Sequence, residues 1–373
     1  MYCYNYMRVL IIGTGWFGCE VASTLDHLDI EFDMLDESNT FFSGSSSKNQ
    51  NRLHYGGFHY CRSYSTRDEC RRGYDVFMEM YPTFSEQIDS FYIVASKSIL
   101  DYKSYIAIFE HEGSEYEKKT VSDLRERGID FNDSFVDGHE VLLIKERWIN
   151  FEKVKEHFEN RFGHNLLEYD KSLLHISEDR ERIYNNDVTY DMAFDCTYGK
   201  LFPLADSIFE VCLTLIYKRC DDNDMMSPSV TIVDGEFFSL YPYKRSKSLY
   251  TLTHVKYTPM FQSMRMGEIK EFIGSIDAKT IRRRRTMIEN DVSDGYINFL
   301  NTHEFSSHFI SIKTKFMDVG CADRSTRLNT QGNVMSLCGG KITGACEIRD
   351  VVTEFVGRNN TITVESKDQN ETL

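Results

Sequence analysis

The first part of the chain alternates short apolar runs with one glycine-rich turn. Residues 7–12 form an apolar run typical of a parallel strand that is buried on both faces. Residues 17–28 place Val21 and Leu25 on one side, as an amphipathic helix does, and residues 30–35 return to a strand pattern. A strand, a glycine turn, a helix and a second strand within about 30 residues predict a right-handed βαβ unit.

The rest of the chain predicts a long loop, scattered helices and a strand-rich block. Residues 38–51 are polar and serine-rich, so we expect a loop there. Helices are predicted at residues 63–80, 150–162, 266–276, 281–300 and 342–356. Strands are predicted at residues 173–176, 182–188, 191–197, 308–316 and 333–337, with a mixture of strands and helices in 84–148. The turn Asp234-Gly235 lies between β-like runs, so residues 212–256 predict an antiparallel sheet.

Size and charge narrow the classes of partner. With 373 residues, of which 41% are hydrophobic, the chain can bury more than one core, and two domains are expected. A formal net charge of −15 disfavours binding to nucleic acid or to an anionic membrane, so small molecules are the expected partners. The run Arg282-Arg283-Arg284-Arg285 could form a nucleic-acid patch, but a short charge run on a helix is more often a solvated face.

Cysteine and histidine spacing predicts no metal site. The ten cysteines never fall as Cys-x-x-Cys, which disfavours a zinc framework and a redox pair. No His/Glu spacing is typical of a metal centre either, and we expect the reduced thiols of a cytoplasmic protein. No apolar stretch approaches the roughly 20 residues that span a bilayer, and the glycine turn follows the first apolar run too closely for a signal peptide.

The motif Gly13-Thr14-Gly15-Trp16-Phe17-Gly18 has the three-glycine spacing of a dinucleotide-binding turn. Gly13 permits the tight turn, Gly15 lets a pyrophosphate approach the backbone, and Gly18 lets the helix pack closely on the strand. Asp36, at the end of the second predicted strand, can accept hydrogen bonds from ribose hydroxyls. An ordinary glycine-rich turn is the alternative, but the preceding strand, the following helix and Asp36 favour dinucleotide binding.

Three further blocks, separated along the chain, carry a combined signal. They are the segment from Ser45-Ser46-Ser47 to Asn51-Arg52-Leu53-His54-Tyr55-Gly56-Gly57-Phe58-His59-Tyr60, the strand end Asp195-Cys196-Thr197-Tyr198-Gly199, and Gly339-Gly340-Lys341-Ile342-Thr343. Together with the glycine turn, they resemble the FAD-dependent oxidoreductases of the D-amino-acid oxidase superfamily. The first block is similar to a serine-rich, His-Gly-containing segment of glycerol-3-phosphate dehydrogenases and L-2-hydroxyglutarate oxidases, and the last to the start of their final helix. The combination favours FAD over NAD.

The resemblance implies an α/β fold, with an FAD-binding Rossmann-type domain and a second, antiparallel-sheet substrate domain. The FAD-binding domain is expected at residues 1–83, 149–205 and 318–373, and the substrate domain at 84–148 and 206–317. The implied cofactor-binding residues are Gly13, Gly15, Trp16, Phe17, Gly18, Asp36, Glu37, Ser45, Ser46, Arg52, Leu53, His54, Thr197, Gly199, Gly339, Gly340, Lys341, Ile342 and Thr343. The amides that begin the last helix would aim a partial positive charge at the negative charge of a reduced flavin.

By resemblance, the reaction is oxidation of a small molecule that carries an amine or a hydroxyl, with hydride transfer to flavin N5. The substrate is expected at a domain interface, where small-molecule sites are usually found. Two other classes stay open from the sequence. One is a redox-neutral flavoenzyme, such as a sugar mutase that uses reduced FAD, and the other is a non-catalytic protein that keeps FAD as a structural element.

Two residues are candidates for catalysis. His54 lies where several members of the resembled group have a histidine beside the flavin; it is either hydrogen-bonded there or, as in some of them, covalently attached to the flavin. Arg324 lies where they carry an arginine, and its planar guanidinium can grip a substrate carboxylate with two parallel hydrogen bonds. Arg327 fits the same stretch, and a surface salt bridge of Arg324 with Asp318 or Asp323 is the other alternative.

Overall fold

A computed structural model describes residues 7–220, 228–244, 247–317 and 326–368 of the chain. The chain divides into two compact units. Unit 1 consists of Met1–Ser47, Glu152–Ser207 and Arg324–Leu373. Unit 2 consists of Lys48–Phe151 and Ile208–Asp323.

The described residues form helices and strands in the following order. The strands are β1 (Arg8–Ile12), β2 (Glu31–Leu35), β3 (Arg52–Leu53), β4 (Ser85–Val94), β5 (Glu117–Thr120), β6 (Glu140–Ile149), β7 (Leu174–Ile176), β8 (Ile183–Asn185), β9 (Val188–Tyr190), β10 (Met192–Asp195), β11 (Ser207–Arg219), β12 (Ser229–Val233), β13 (Phe238–Lys244), β14 (Leu249–His254), β15 (Pro259–Ser263), β16 (His303–Phe316), β17 (Arg327–Gln331) and β18 (Val334–Cys338). The helices are α1 (Trp16–His27), α2 (Tyr64–Met80), α3 (Tyr102–His111), α4 (Val121–Glu126), α5 (Phe151–Phe162), α6 (Met266–Ser275), α7 (Ala278–Gly295), α8 (Phe299–Thr302), α9 (Ile342–Cys346) and α10 (Arg349–Asp368).

Unit 1 is built on a five-stranded sheet in the order β17-β18-β10-β1-β2. Strands β18, β10, β1 and β2 run parallel, and β17 pairs antiparallel with β18 at one edge. The apolar run of β1 is buried apart from its first residue, as expected for a strand covered on both faces. The predicted βαβ opening and the α/β fold class are therefore confirmed, and the parallel strands bring their carboxyl ends to one edge.

Two predicted elements of unit 1 differ from the structure. The strand predicted at residues 182–188 ends at Asn185, because the chain turns at Asn186, where φ is +54°, and strand β9 begins at Val188. Residues 342–356 form two helices, because Glu347 leaves helical geometry at φ −90° and ψ 1°. Strand β17 was not predicted, since its polar sequence lies at a largely exposed sheet edge.

Unit 2 contains a ten-stranded sheet with the central order β15-β11-β14-β13-β12-β4-β6-β3. Strand β12 lies parallel to β4, whereas β4 and β6, β12 and β13, and β13 and β14 pair antiparallel. The predicted antiparallel block at residues 212–256 is thus confirmed, with the hairpin turn after Val233. Helix α7 packs Ile288 and Val292 into the core beside the sheet, while Arg282 and Arg283 are exposed.

The boundary between the units differs from the sequence-based division over residues 48–83. The sequence division joins this segment to the cofactor part, but the structure groups it with unit 2. The reason is that β3 pairs with β6, with Arg52 opposite Trp148, so the segment extends the second sheet. Which unit binds the cofactor and which binds the substrate stays a prediction.

Among the helices of the described ranges, none is long and apolar enough to cross a membrane. None of the eight cysteines within those ranges forms a disulfide. Arg324 and its neighbours from 318 to 325 lie outside the described residues, so the structure does not place that candidate.

Candidate functional site

Three of the four glycine-containing blocks meet at the carboxyl edge of the unit 1 sheet. Gly13 follows β1, the residues Thr197-Tyr198-Gly199 follow β10, and Gly339 follows β18. These three strands are neighbours and run parallel, so their ends lie side by side. Ligands of open α/β sheets bind outside the carboxyl ends of the strands, which makes this edge the candidate cofactor site.

A side chain at Gly13 or Gly18 would meet the backbone, and a side chain at Gly15 would meet the hydroxyl of Ser46. Gly13 adopts a φ of +101°, and a Cβ there would lie 2.6 Å from the carbonyl oxygen of Cys196. A Cβ on Gly18 would lie 1.9 Å from the carbonyl oxygen of Gly13, so helix α1 can pack this closely on β1 only with glycine. A Cβ on Gly15 would lie 2.6 Å from Oγ of Ser46, which itself accepts a hydrogen bond from the Trp16 amide at 3.3 Å.

Trp16 can serve a cofactor only through its backbone. Its ring is buried and packs edge-on against Phe42 and Phe158, at centroid distances of 5.5 and 6.4 Å. Its amide begins helix α1, where the positive end of the helix dipole favours phosphate. The backbone, and not the indole, is therefore the part of Trp16 that suits a pyrophosphate.

Asp36 stabilises the glycine turn through hydrogen bonds. Its Oδ2 accepts hydrogen bonds from the amide and the hydroxyl of Thr14, both at 3.0 Å. Its Oδ1 accepts from the amide and hydroxyl of Ser38 at 3.0 and 2.5 Å, and from the Ser43 hydroxyl at 3.2 Å. Burial would raise the pKa of Asp36, but these hydrogen bonds outweigh it and lower the pKa, so the carboxylate stays ionised. Ribose binding by Asp36, or by the exposed Glu37 beside it, stays a prediction.

The block after β10 forms a tight, left-handed turn. Thr197 donates its amide and hydroxyl to Oδ1 of the buried Asp195, at 2.9 and 2.6 Å. Tyr198 and Gly199 then adopt φ angles of +64° and +76°. Burial raises the pKa of the Asp195 carboxyl. The Thr197 side chain thus holds the turn in place. The predicted contact of Thr197 with the cofactor stays a prediction and would be made by its backbone groups.

The block after β18 lies against the glycine-turn helix. A Cβ on Gly339 would lie 2.6 Å from the Phe17 ring and 2.7 Å from the Thr326 hydroxyl. A Cβ on Gly340 would lie 3.4 Å from the Tyr198 hydroxyl. These distances place Phe17, Gly339 and Gly340 close together and add Thr326 and Tyr198, which the sequence did not single out as ligands.

Thr343 carries a buried hydroxyl at the start of the last block's helix. The residue is 2% exposed, and its Oγ1 has no hydrogen-bond partner among the described residues. A buried hydroxyl without a partner is costly, and a ligand group that accepts or donates a hydrogen bond there would relieve that cost. Lys341, also buried, precedes it, and helix α9 is only five residues long.

Other predicted residues lie in unit 2 instead of at this edge. Leu53 is fully buried in β3, where it serves the core. Arg52 is also buried, and its Nη2 donates to the Thr231 and Ser239 hydroxyls at 3.0 and 2.9 Å. Its guanidinium stacks over the Tyr241 ring at 4.0 Å. All the hydrogen bonds described for Arg52 are therefore made within unit 2.

His54 belongs to the same polar cluster. Its Nδ1 lies 3.6 Å from Oε1 of the fully buried Glu146, and its Nε2 lies 3.3 Å from the Tyr60 hydroxyl. The His54 side chain keeps 15% of its surface exposed, so a small molecule can reach it. Glu146 and its hydrogen-bond donor Tyr92 were not predicted as site residues. Lys145-Glu146-Arg147 and the tyrosine are typical of an ordinary strand sequence.

Comparison with known proteins adds family information to this geometry. No protein-family model matches the chain. It is 29% identical over 343 residues to the FAD-dependent monooxygenase FPY4 of Fusarium mangiferae, covering 91% of this chain and 88% of the relative. Its fold is similar to that of glycine oxidase from Geobacillus kaustophilus, with a TM-score of 0.68, 12% identity and 95% of each chain covered. It is similarly close to L-alpha-glycerophosphate oxidase from Mycoplasma pneumoniae, solved with FAD bound, with a TM-score of 0.67, 12% identity and 94% of each chain covered.

The chain is an FAD-dependent oxidoreductase, and its fold is similar to that of solved flavoprotein oxidases. The predicted resemblance, fold class, cofactor and enzyme class are therefore confirmed. The residues at the unit 1 edge fit this flavoenzyme's cofactor: the Gly15 amide region has a cradle that a side chain would fill, and Thr343 offers an unsatisfied hydroxyl. Gly13, Gly15, Gly339 and Thr343 would hold FAD there.

Substitution of Gly15 by alanine should weaken FAD binding by about tenfold or more, equivalent to about 1.4 kcal/mol. The new Cβ would occupy the space beside Ser46 that the pyrophosphate needs. The dissociation constant is measured by titrating the apoprotein with FAD. Gly163→Ala is the matched control, because its Cβ would meet nothing within 4 Å. Equal FAD affinity in folded Gly15→Ala and wild type would contradict this site.

Proposed function

We propose that this flavoenzyme oxidises a small molecule bearing an amine or a hydroxyl, with a carboxylate on the same molecule. The observation that carries the proposal is His54, a partly exposed histidine held beside the buried carboxylate of Glu146 in a chain with a glycine-lined cofactor edge. FAD, when bound, would supply the oxidising power as the acceptor of a hydride at N5. The chain itself must orient the substrate and take up its proton, and His54 is the residue suited to the second task.

Monooxygenation is the second candidate, because the curated relative FPY4 is an FAD-dependent monooxygenase. In that case, the flavin would be reduced by a separate reductant and oxygen would react with the reduced cofactor. The relatives are oxidases or monooxygenases and not mutases, so the sugar-mutase alternative gains no support. A purely structural FAD is likewise not supported, since the chain is an oxidoreductase.

Anaerobic flavin bleaching separates these candidates. Purified protein is mixed without oxygen with a panel of amino acids and 2-hydroxy acids, and the flavin absorbance is followed. We expect at least one such compound to reduce the flavin directly, because hydride transfer needs no other reductant. Reduction only by NADH or NADPH, with the panel inert, would favour the monooxygenase and contradict direct oxidation.

Arg324→Lys should raise the substrate concentration needed for half-maximal flavin reduction by about tenfold, and slow reduction, while FAD content stays unchanged. Lysine supplies charge without the planar fork that fixes a carboxylate. Arg327→Lys is the matched control, because Arg327 forms an ion pair with Asp206 in unit 1. Stopped-flow reduction of both variants is the measurement. Wild-type kinetics in Arg324→Lys would remove the proposed carboxylate contact.

Acid precipitation tests how FAD is attached. We expect the yellow colour in the supernatant, because Nδ1 of His54 faces Glu146 and Nε2 faces the Tyr60 hydroxyl, an arrangement that favours a hydrogen-bonding histidine. The supernatant absorbance at the flavin maximum is compared with that of the intact protein. Colour retained in the pellet would instead indicate covalent attachment, which the His54→Gln variant would abolish.

A further inference from the structure

Glu146 is a buried carboxylate whose described partners belong to unit 2. It is 0% exposed, and its Oε1 accepts a hydrogen bond from the Tyr92 hydroxyl at 2.7 Å. Its Oε2 lies 3.5 Å from Nε of Arg52, and Oε1 lies 3.6 Å from Nδ1 of His54. A buried charge of this kind persists only when it is paired and hydrogen-bonded, so the position of each partner matters.

Arg52 keeps Glu146 ionised. Burial would raise the pKa of the Glu146 carboxyl, but the Arg52 charge and the contact with His54 outweigh burial and lower that pKa. Arg52 in turn is fixed by Thr231, Ser239 and the Tyr241 ring, so it has no need to reorient when His54 changes its charge. The cluster therefore presents a fixed negative charge to one nitrogen of His54.

The two ring nitrogens of His54 meet different environments. Nδ1 faces the carboxylate at 3.6 Å, which is longer than a hydrogen bond but close enough to favour a proton on that nitrogen. Nε2 lies 3.3 Å from the Tyr60 hydroxyl and carries no proton when the ring proton is on Nδ1. Because Glu146 is wholly buried and His54 is not, only His54 can touch a substrate.

We infer that Glu146 is a positioning residue that holds His54 with its proton on Nδ1, so that Nε2 accepts the proton released by the substrate. This inference rests on the oxidation proposed above. Bound FAD would be the oxidant, and it would take up the substrate C–H hydrogen together with its electron pair. The O–H or N–H electron pair becomes the new C=O or C=N bond, and the O–H or N–H proton passes to Nε2 of His54, which becomes positively charged beside Glu146.

The charge on His54 depends on a defined set of neighbours. Among the described residues, the titratable and charged groups around His54 and Glu146 include His59 and Tyr60 on the turn after β3, Arg52 on β3, Tyr92 on β4, and also Tyr74, Tyr105 and Tyr241. Glu146 brings a negative charge to Nδ1 of His54. Its removal should therefore affect His54 in one direction.

The experiment compares wild type with Glu146→Gln by nitrogen-15 NMR of histidine, with His54→Gln used to assign the His54 signals. We expect wild-type His54 to carry its proton on Nδ1 and the variant to lose this preference. Because the carboxylate stabilises the protonated ring, its loss should move the low-pH fall in the rate of flavin reduction to lower pH. The reduction rate itself should fall roughly ten- to hundredfold.

Glu210→Gln is the matched control. Glu210 is also buried in unit 2, at 2% exposure, and its carboxylate pairs with Lys315 at 2.6 Å. Its loss should change stability without changing the His54 tautomer or the pH profile. Glu146→Asp, which keeps the carboxylate, should restore the wild-type tautomer in part. If Glu146→Gln does not fold, Arg52→Gln with Glu146→Gln removes both charges, leaves no unpaired buried charge, and should show the same tautomer change.

The outcomes separate the inference from the proposed function. The inference would be overturned if the His54 tautomer and the low-pH fall in rate are unchanged in Glu146→Gln, or if they change equally in Glu210→Gln. A lost tautomer preference with slower reduction supports it. Failure of every substrate to bleach the wild-type flavin would contradict the proposed oxidation, and with it the proton-acceptor role, whereas the tautomer change would still report the contact between Glu146 and His54.

Discussion

The close approach of helix α1 to strand β1 is the constraint on which unit 1 depends. A side chain on Gly18 would lie 1.9 Å from the Gly13 carbonyl oxygen, so glycine is required for the helix to start where it does. Gly13, at a positive φ, also packs against the end of β10. Since the start of α1 and the ends of β1 and β10 are fixed by the same contacts, the backbone amides of the turn come to a defined position at the carboxyl edge.

Unit 2 depends on a different kind of interaction, a buried pair of opposite charges. Arg52 and Glu146 join the short strand β3 to β6, and the partners of Arg52 extend to β12 and β13. Such a pair is weak evidence for stability, because desolvation of two charges offsets much of their attraction. The pair instead fixes geometry, because the cluster determines the position of β3. The position of His54, which follows β3, is fixed with it.

Local patterns were sufficient to predict most of unit 1. Gly13, Gly15 and Gly18 act within one turn, and the apolar strands β1 and β10 are recognisable without knowledge of their neighbours. The break between α9 and α10 was not predictable, because Glu347 continues an acceptable helix pattern. In unit 2, Thr231 and Ser239 contact Arg52 from distant parts of the chain. The sequence Lys145-Glu146-Arg147 is typical of a solvent-facing strand. The buried cluster was therefore not predictable, because its members meet only in the folded chain.

The difference between the two units explains how proteins can share this fold and still differ in substrate and reaction. The candidate cofactor edge of unit 1 is made mainly of glycines and backbone groups, which many sequences can supply, and solved structures at 12% identity share the fold. The His54 cluster is made of side chains whose partners must all be present together, so a single change at Arg52, Glu146 or Tyr92 would disturb the others. Because fold alone does not fix chemistry, such a side-chain cluster is where substrate and reaction can change while the cofactor edge stays the same.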